Sequence, residues 1–129
     1  MNVDETARVE VIRAFNAAMA AMDFAAALPL VADDCEYVNG PLGTFRGPDG
    51  IKAALEPFFG PILENEFVIK REAAAGDVVF VERLDRHRLA SGWIELPVTG
   101  VYEVRSGRIA VWHDYFDLAT LQRQMRAGG

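Results

Sequence analysis

The sequence has a single cysteine, no cluster of basic residues and no long apolar run. Its single cysteine, Cys35, cannot form an internal disulfide, and we expect it to be a small buried side chain. Thirteen basic residues against nineteen acidic ones give a net charge of −6, which argues against nucleic acid as a partner. No apolar run approaches the ~20 residues of a membrane span. With an acidic N-terminus in place of a secretory signal, the expected location is cytoplasmic.

Metal chemistry also has little support. Two histidines and one cysteine lie on different segments, without the close spacing typical of zinc ligands. We therefore expect no metal ion. Apolar residues form 51% of the chain and charged residues 25%, enough to build a core. The length of 129 residues fits one domain spanning residues 1–129.

The first half of the chain has helical periodicity. Ile12, Phe15 and Met19 fall at the three- and four-residue spacing of one helix face, and Pro48 is a suitable first residue for a later helix. These signals predict a helix over Asp4–Met22, a short helix capped by Asp23 and running to Leu30, a turn at Asp33 and Asp34, a strand over Cys35–Asn39 and a helix over Pro48–Phe59.

The second half has the period of strands. Gly76, Ser91-Gly92 and Ser106-Gly107 are turn signals between apolar segments, which favours an antiparallel meander. Helices followed by a meander indicate an α+β fold with helices on one face of a curved sheet. The predicted elements are strands over Asn65–Ala73, Asp77–Leu89, Trp93–Val104 and Arg108–Phe116, and a final helix over Leu118–Met125.

Charged residues interrupt the apolar faces of two of these strands. Arg83, Asp85 and His87 alternate, so they project from one face. Asp114 likewise lies between Trp112 and Phe116 on its strand face. If these faces look inward, the charges require partners, and Arg83 can serve both aspartates. Paired buried charges of this kind are candidates for a functional site.

A further polar pair, Tyr37 and Asn39, shares one face of an earlier strand. Taken singly, a Tyr-x-Asn before a Gly-Pro loop more often helps to form a turn than a functional site. An Arg-x-Asp on a strand is likewise more often a surface ion pair. Together, three segments place polar groups on otherwise apolar strand faces. We therefore expect Tyr37, Asn39, Arg83, Asp85 and Asp114 to line one cavity.

The segments Tyr37-Val38-Asn39, Arg83-Leu84-Asp85 and Trp112-His113-Asp114-Tyr115-Phe116-Asp117, in this order, resemble the limonene-1,2-epoxide hydrolase family. The resemblance implies a cone-like curved mixed sheet with helices packed on its concave face, the cystatin-like cone also seen in nuclear transport factor 2 and ketosteroid isomerase. It also implies a deep apolar pocket, no cofactor and a homodimer through the outer face of the sheet.

Carried over by position, the resemblance implies an Asp-Arg-Asp triad of Asp85, Arg83 and Asp114, and a water held by Tyr37 and Asn39. The expected reaction adds water to a small, cyclic or terpene-like epoxide, with Asp85 as acid and Asp114 as base. Two alternatives stay open: ketosteroid-isomerase-like or polyketide-cyclase-like chemistry, and non-catalytic binding of a small molecule.

The remaining expectations concern surfaces. An exposed apolar patch of Phe80, Leu84, Tyr102 and Val104 on the outer face is expected to support the dimer. His87 is expected at the pocket rim, and His113 is expected to face outward. The candidate pocket residues are Phe58, Ile62, His87, Leu96, Val98, Phe116 and Leu121.

Overall fold

The computed structural model describes residues 1–128 and contains a mixed six-stranded sheet with helices against its concave side. The strand order is β2-β1-β6-β5-β4-β3, in which β1 and β6 are parallel and the other neighbours antiparallel. The α+β prediction is confirmed. In chain order the elements are α1 (Val3–Ala20), α2 (Phe24–Ala27), a 3₁₀ turn (Leu28–Leu30), β1 (Val31–Asn39), a 3₁₀ turn (Gly40–Leu42), β2 (Thr44–Arg46), α3 (Gly47–Phe59), β3 (Glu64–Ala75), β4 (Val78–Leu89), β5 (Gly92–Arg105), β6 (Arg108–Tyr115) and α4 (Leu118–Gly128).

Helix α1 begins and ends for local reasons. The Asn2 side chain accepts a hydrogen bond from the Glu5 backbone N–H, and the Glu5 carboxylate accepts one from the Asn2 backbone N–H, which forms a capping box. The helix ends at Ala20, two residues earlier than predicted, because Met22 adopts a left-handed backbone with φ of 56°. Asp23 then caps α2 through the Ala26 backbone N–H, as expected.

Strand β1 is longer than predicted. The predicted turn at Asp33 and Asp34 is wrong, since both residues lie within β1. The pairing of β1 with β6 is irregular between Val31 and Glu36, so the two exposed aspartates lie where the ladder is interrupted. The short strand β2 was not predicted and pairs with the end of β1. This strand pair lies beside the site described below.

The meander of β3 to β6 matches the prediction within one or two residues at most ends. The predicted outer patch is wrong for two of its four members: Tyr102 and Val104 are buried in the core. Leu96 and Val98 also face inward, and because residues two apart on a strand share a face, Tyr102 and Val104 face inward with them. Phe80 is 41% exposed on the outer face, as predicted.

The main core lies between α1, α3 and the concave face of the sheet. Within residues 1–128, no helix combines the length and apolar character of a membrane span.

Candidate active site

A cavity of about 130 Å³ lies between the concave face of the sheet and helices α3 and α4. Polar groups occupy part of its wall, and aliphatic or aromatic side chains form the rest, as in many small-molecule sites. The wall consists of Met19, Tyr37, Asn39, Leu42, Ala54, Leu55, Phe58, Phe59, Phe67, Arg83, Asp85, His87, Leu96, Val98, Trp112, Asp114, Phe116 and Leu121.

Arg83 bridges the two aspartates predicted for the site. Its Nε and one Nη donate to the Asp85 carboxylate at 2.7 and 3.2 Å. Its two Nη atoms donate to the Asp114 carboxylate at 3.2 and 2.7 Å. Arg83 is 2% exposed, and each aspartate is 6% exposed. The three charged groups therefore form one buried network rather than surface ion pairs.

The Tyr102 hydroxyl accepts a hydrogen bond from the remaining N–H group of the Arg83 guanidinium. Arg83 Nη1 donates to the Tyr102 hydroxyl at 2.8 Å, and that hydroxyl donates to Asn16 Oδ1 at 3.1 Å. Four bonds to carboxylates and one to a hydroxyl occupy all five guanidinium N–H groups. Phe67 packs on the guanidinium, with its ring centroid 4.9 Å from Cζ. The orientation of Arg83 is therefore fixed from α1, β3, β5 and β6.

The two aspartates differ in the donors that they receive. Asp85 accepts two N–H bonds, both from Arg83. Asp114 accepts two from Arg83 and a third from the Trp112 indole N–H at 2.8 Å. Hydrogen bonds to a carboxylate stabilise its ionised form. Asp85 therefore has one N–H donor fewer than Asp114 to stabilise its ionised form.

Burial acts in the same direction at Asp85. It raises the pKa of this carboxyl from 3.8 to about 6, against the opposing charge and hydrogen bonds of Arg83. Burial alone would lower the pKa of Arg83, but the nearby acidic groups, led by Asp114, hold it well above its ordinary value. Arg83 is therefore a permanent cation, while Asp85 is able to carry a proton near neutral pH.

Tyr37 and Asn39 reach the cavity from β1. They pair in register with Trp112 and Asp114 on the parallel strand β6. The Tyr37 ring stacks on the Trp112 ring at 3.9 Å between centroids. Burial raises the pKa of Tyr37 well above its ordinary value, so its hydroxyl is neutral and can donate or accept. The structure thus brings all five predicted polar residues to one cavity.

The predicted apolar wall is mostly found in place. Every candidate pocket residue lines the cavity except Ile62, which packs in the main core after the end of α3. His87 is 2% exposed, so its expected position at the rim is wrong. Tyr102 and Asn16 also belong to the site but were not predicted there, although strand alternation from Leu96 and helical spacing from Ile12 indicate that both face inward.

Two other predictions concern residues outside the cavity. His113 lies on the outer side, where its Nε2 is 3.1 Å from the Glu36 carboxylate. Burial raises the pKa of Cys35 to about 12, which makes it an unreactive buried thiol. Among residues 1–128, no three His, Cys, Asp or Glu side chains cluster in a way that would hold a metal ion.

Comparison with known proteins adds independent evidence. The sequence profile of the limonene-1,2-epoxide hydrolase catalytic domain matches residues 6–126. Epoxide hydrolase EphG of Mycobacterium tuberculosis is 31% identical over 117 residues, covering 91% of this chain and 78% of that protein.

Solved structures extend the comparison to the fold. An epoxide hydrolase from M. tuberculosis, described as similar to limonene-1,2-epoxide hydrolase, superposes with a TM-score of 0.84 at 30% identity, covering 97% of this chain and 93% of the other. A nuclear transport factor 2-like protein of unknown function from Burkholderia pseudomallei has a TM-score of 0.82 at 21% identity, covering 91% and 95%. The latter shares the fold alone.

Proposed function

The chain belongs to the limonene-1,2-epoxide hydrolase family, and we propose that it adds water to a small epoxide to give a vicinal diol in one step. The observation that carries this proposal is the buried Arg83 held between two carboxylates with unequal sets of donors. An arginine and two carboxylates around an apolar cavity supply an acid, a base and a fixed geometry for both.

Asp85 is the proposed acid and Asp114 the proposed base. One proton shared by the two aspartates, together with the positive charge of Arg83, makes the buried cluster neutral overall. A neutral cluster avoids the large cost of an uncompensated charge away from water. The smaller number of donors at Asp85 and its raised pKa support placing that proton there.

In the proposed step, a water oxygen attacks one ring carbon while the bond from that carbon to the epoxide oxygen breaks. Asp85 gives its proton to the epoxide oxygen, and Asp114 takes a proton from the attacking water. The products are the diol, an ionised Asp85 and a protonated Asp114. The cluster keeps the same number of protons, so transfer of one proton from Asp114 back to Asp85 restores the starting state.

Tyr37 and Asn39 are proposed to hold the attacking water. Their positions on β1, opposite Trp112 and Asp114 of β6, support a water bound beside the proposed base. A neutral hydroxyl and an amide supply both donors and acceptors, which allows them to orient a water lone pair toward a ring carbon. Correct orientation of the nucleophile is itself a large part of such catalysis.

The cavity favours a compact substrate. Its volume of about 130 Å³ is small beside the ~300–1,000 Å³ of many ligand sites. Its wall is largely apolar, with Phe58, Leu96 and Leu121 among its members. We therefore propose a cyclic or terpene-like epoxide with about one six-membered ring as the substrate class.

We also propose that the protein is a homodimer through the outer face of the sheet. Phe80 is 41% and Tyr115 is 58% exposed there, with the partly buried Leu84 and Val101 on the same face. Apolar side chains grouped on one outer surface are typical of protein interfaces.

The proposed activity is tested by incubating the purified protein with a panel of small epoxides, including cyclohexene oxide and limonene oxide, and measuring diol. We expect diol above the buffer rate for at least one compound. Asp114→Asn serves as the matched background, because it preserves size and removes the base. A flat result across the panel would contradict the proposal and favour isomerase or cyclase chemistry, or ligand binding without catalysis.

A further inference from the structure

His87 is a polar side chain in the apolar part of the cavity wall, and the proposed reaction does not use it. It lies on β4 two residues after Asp85, on the same inward face. The imidazole is 2% exposed and packs edge-on against Phe58, with 5.1 Å between ring centroids. A buried imidazole in such surroundings requires hydrogen-bond partners.

One imidazole nitrogen is paired, and the pairing fixes the tautomer. Asn65, the register partner of His87 on β3, donates from Nδ2 to the Met19 carbonyl at 3.2 Å. That bond orients the Asn65 amide so that Oδ1, an acceptor, faces His87 Nδ1 at 2.5 Å. Because an acceptor requires a donor opposite it, His87 Nδ1 carries the hydrogen.

The ring is neutral, so its second nitrogen is an acceptor. Burial, with the nearby charge of Arg83, lowers the pKa of His87 from 6.5 to about 4. A neutral imidazole with hydrogen on Nδ1 has a lone pair on Nε2. No group among residues 1–128 forms a hydrogen bond with Nε2, and the ring borders the cavity.

We propose that His87 Nε2 is an acceptor for a hydroxyl group of the substrate, so that the preferred epoxides carry a hydroxyl as well as the ring. This substrate class rests on the proposed epoxide hydrolase function. A cationic amine, the other strong donor, fits poorly because Arg83 places a permanent positive charge on the same strand face. A hydroxyl donates without adding charge to the apolar wall.

The strand spacing sets where that hydroxyl lies. Side chains two residues apart on one face of a strand are separated by about 7 Å. With the epoxide oxygen at Asp85 and the hydroxyl at His87, the two substrate oxygens would be separated by roughly this distance. A hydroxymethyl group across a six-membered ring from the epoxide comes near this separation.

The test compares two substrates of nearly equal shape: an epoxycyclohexane with a hydroxymethyl group across the ring, and the same ring with an ethyl group. We expect wild-type protein to favour the hydroxymethyl compound in kcat/KM by about 3- to 10-fold. His87→Leu should remove or invert this preference, because it replaces the acceptor by an apolar group. Leu121→Val, which changes the wall without changing hydrogen bonding, should preserve it. An equal preference in wild type and His87→Leu would overturn the proposal.

A second measurement does not depend on turnover or on a variant that folds. Nitrogen-15 NMR of labelled histidine in the wild-type protein should show hydrogen on Nδ1 of His87 and none on Nε2. The ring alcohol lacking the epoxide should shift the Nε2 resonance, and the matching ethyl compound should not. Hydrogen on Nε2, or equal responses to both compounds, would overturn the subsite. A selective Nε2 shift without diol from any epoxide would support the subsite and overturn the proposed reaction.

Discussion

At the scale of single residues, the site depends on how Arg83 distributes its donors between Asp85 and Asp114. A lone charge buried to this degree would be strongly destabilising, whereas a guanidinium with every N–H paired is tolerated. The same bonds keep the two carboxylates at fixed positions on one cavity wall. Arg83 thus serves both the stability of the network and the geometry of the proposed reaction.

Removal of either proposed proton-transfer group should stop most turnover. Asp85→Asn and Asp114→Asn are each expected to lower kcat by about 10²–10⁴-fold, the usual contribution of a general acid or base. Asp34→Asn, an exposed aspartate on β1, is the matched control and should keep full activity. Diol formation and circular dichroism of the three variants provide the measurement. Near-normal diol formation by either site variant, with the fold intact, would show that its assigned role is wrong.

The pH dependence follows from the raised pKa of Asp85. The proposed acid must be protonated, so kcat/KM should fall as pH rises above about 6. The stability that Asp85 contributes to the fold should also fall as pH rises. A carboxyl whose folded-state pKa is raised from 3.8 to about 6 contributes stability that is present below 3.8 and lost as pH rises through about 6.

These two effects are checked by kcat/KM and by the free energy of unfolding in urea, measured from pH 5 to pH 8 for wild type and Asp85→Asn. The stability difference between the two proteins should change across this range in the direction of weaker wild-type stability at higher pH. A rate that rises through pH 6 and beyond would contradict Asp85 as the acid.

At the scale of elements, strand β5 contributes space as well as side chains. Gly100 lies opposite Val81 of β4 and Asp114 of β6 in the ladder. A Cβ at this position would lie 2.6 Å from the Tyr102 hydroxyl and 2.9 Å from Arg83 Nη1. Glycine is therefore required here by the close approach of the network to the strand.

Gly100→Ala should displace the Arg83–Tyr102 hydrogen bond and lower both Tm and kcat. Gly50→Ala is the matched control, since a Cβ there lies 3.6 Å from its nearest neighbour on Phe45. Alanine in this helical position should keep activity and leave stability equal or higher. Thermal melts and diol assays of both variants provide the measurement. Full activity in Gly100→Ala would mean that the Tyr102 bond does not position Arg83.

Most elements could be predicted from sequence because their signals are local. Alternation placed Arg83 and Asp85 on the inward face of β4, and helical spacing located α1. The irregular pairing of β1 near Asp33 and the short β2 depend on how the sheet curves, which has no local signature.

The hydrogen bonds that extend from Arg83 through Tyr102 to Asn16 were not predicted. Asn16 contacts Tyr102 across 86 positions of sequence. Helical spacing carried a usable signal for its burial, because Asn16 lies four residues after Ile12 and three before Met19, on the buried face of α1. Tyr102 carried a usable signal, because it has the same alternation as Leu96 and Val98 on β5. Ile62 lies just after the end of α3 at Phe59. A change of one or two positions in this segment moves a side chain from the cavity wall to the main core.

At the scale of the whole molecule, the fold alone leaves the chemistry open, because a protein of unknown function at 21% identity has the same architecture. Membership of the family and the buried Arg83 network together narrow the range of reactions that this fold could catalyse. The wall of the same cavity carries His87, whose Nδ1 is paired with Asn65 of β3. Substrate preference is therefore expected to depend on β3 and β4 together.

The proposed dimer is also a property of the whole molecule. Analytical ultracentrifugation at micromolar concentration should give a dimer for wild type. Phe80→Glu, a charge on the outer apolar face, should shift the protein toward monomer, and Lys52→Glu on α3 should leave the dimer intact. A wild-type monomer at this concentration would contradict the proposed assembly.

In the proposed reaction, water attacks the epoxide directly, without a covalent intermediate on either aspartate. Its most direct test is a single turnover in water labelled with oxygen-18, with protein in excess over epoxide and the diol analysed by mass spectrometry. We predict one labelled oxygen in the diol from the first turnover. An unlabelled first product, with the label appearing in the diol only in later turnovers, would show that a carboxylate oxygen had attacked the ring and would contradict direct attack by water.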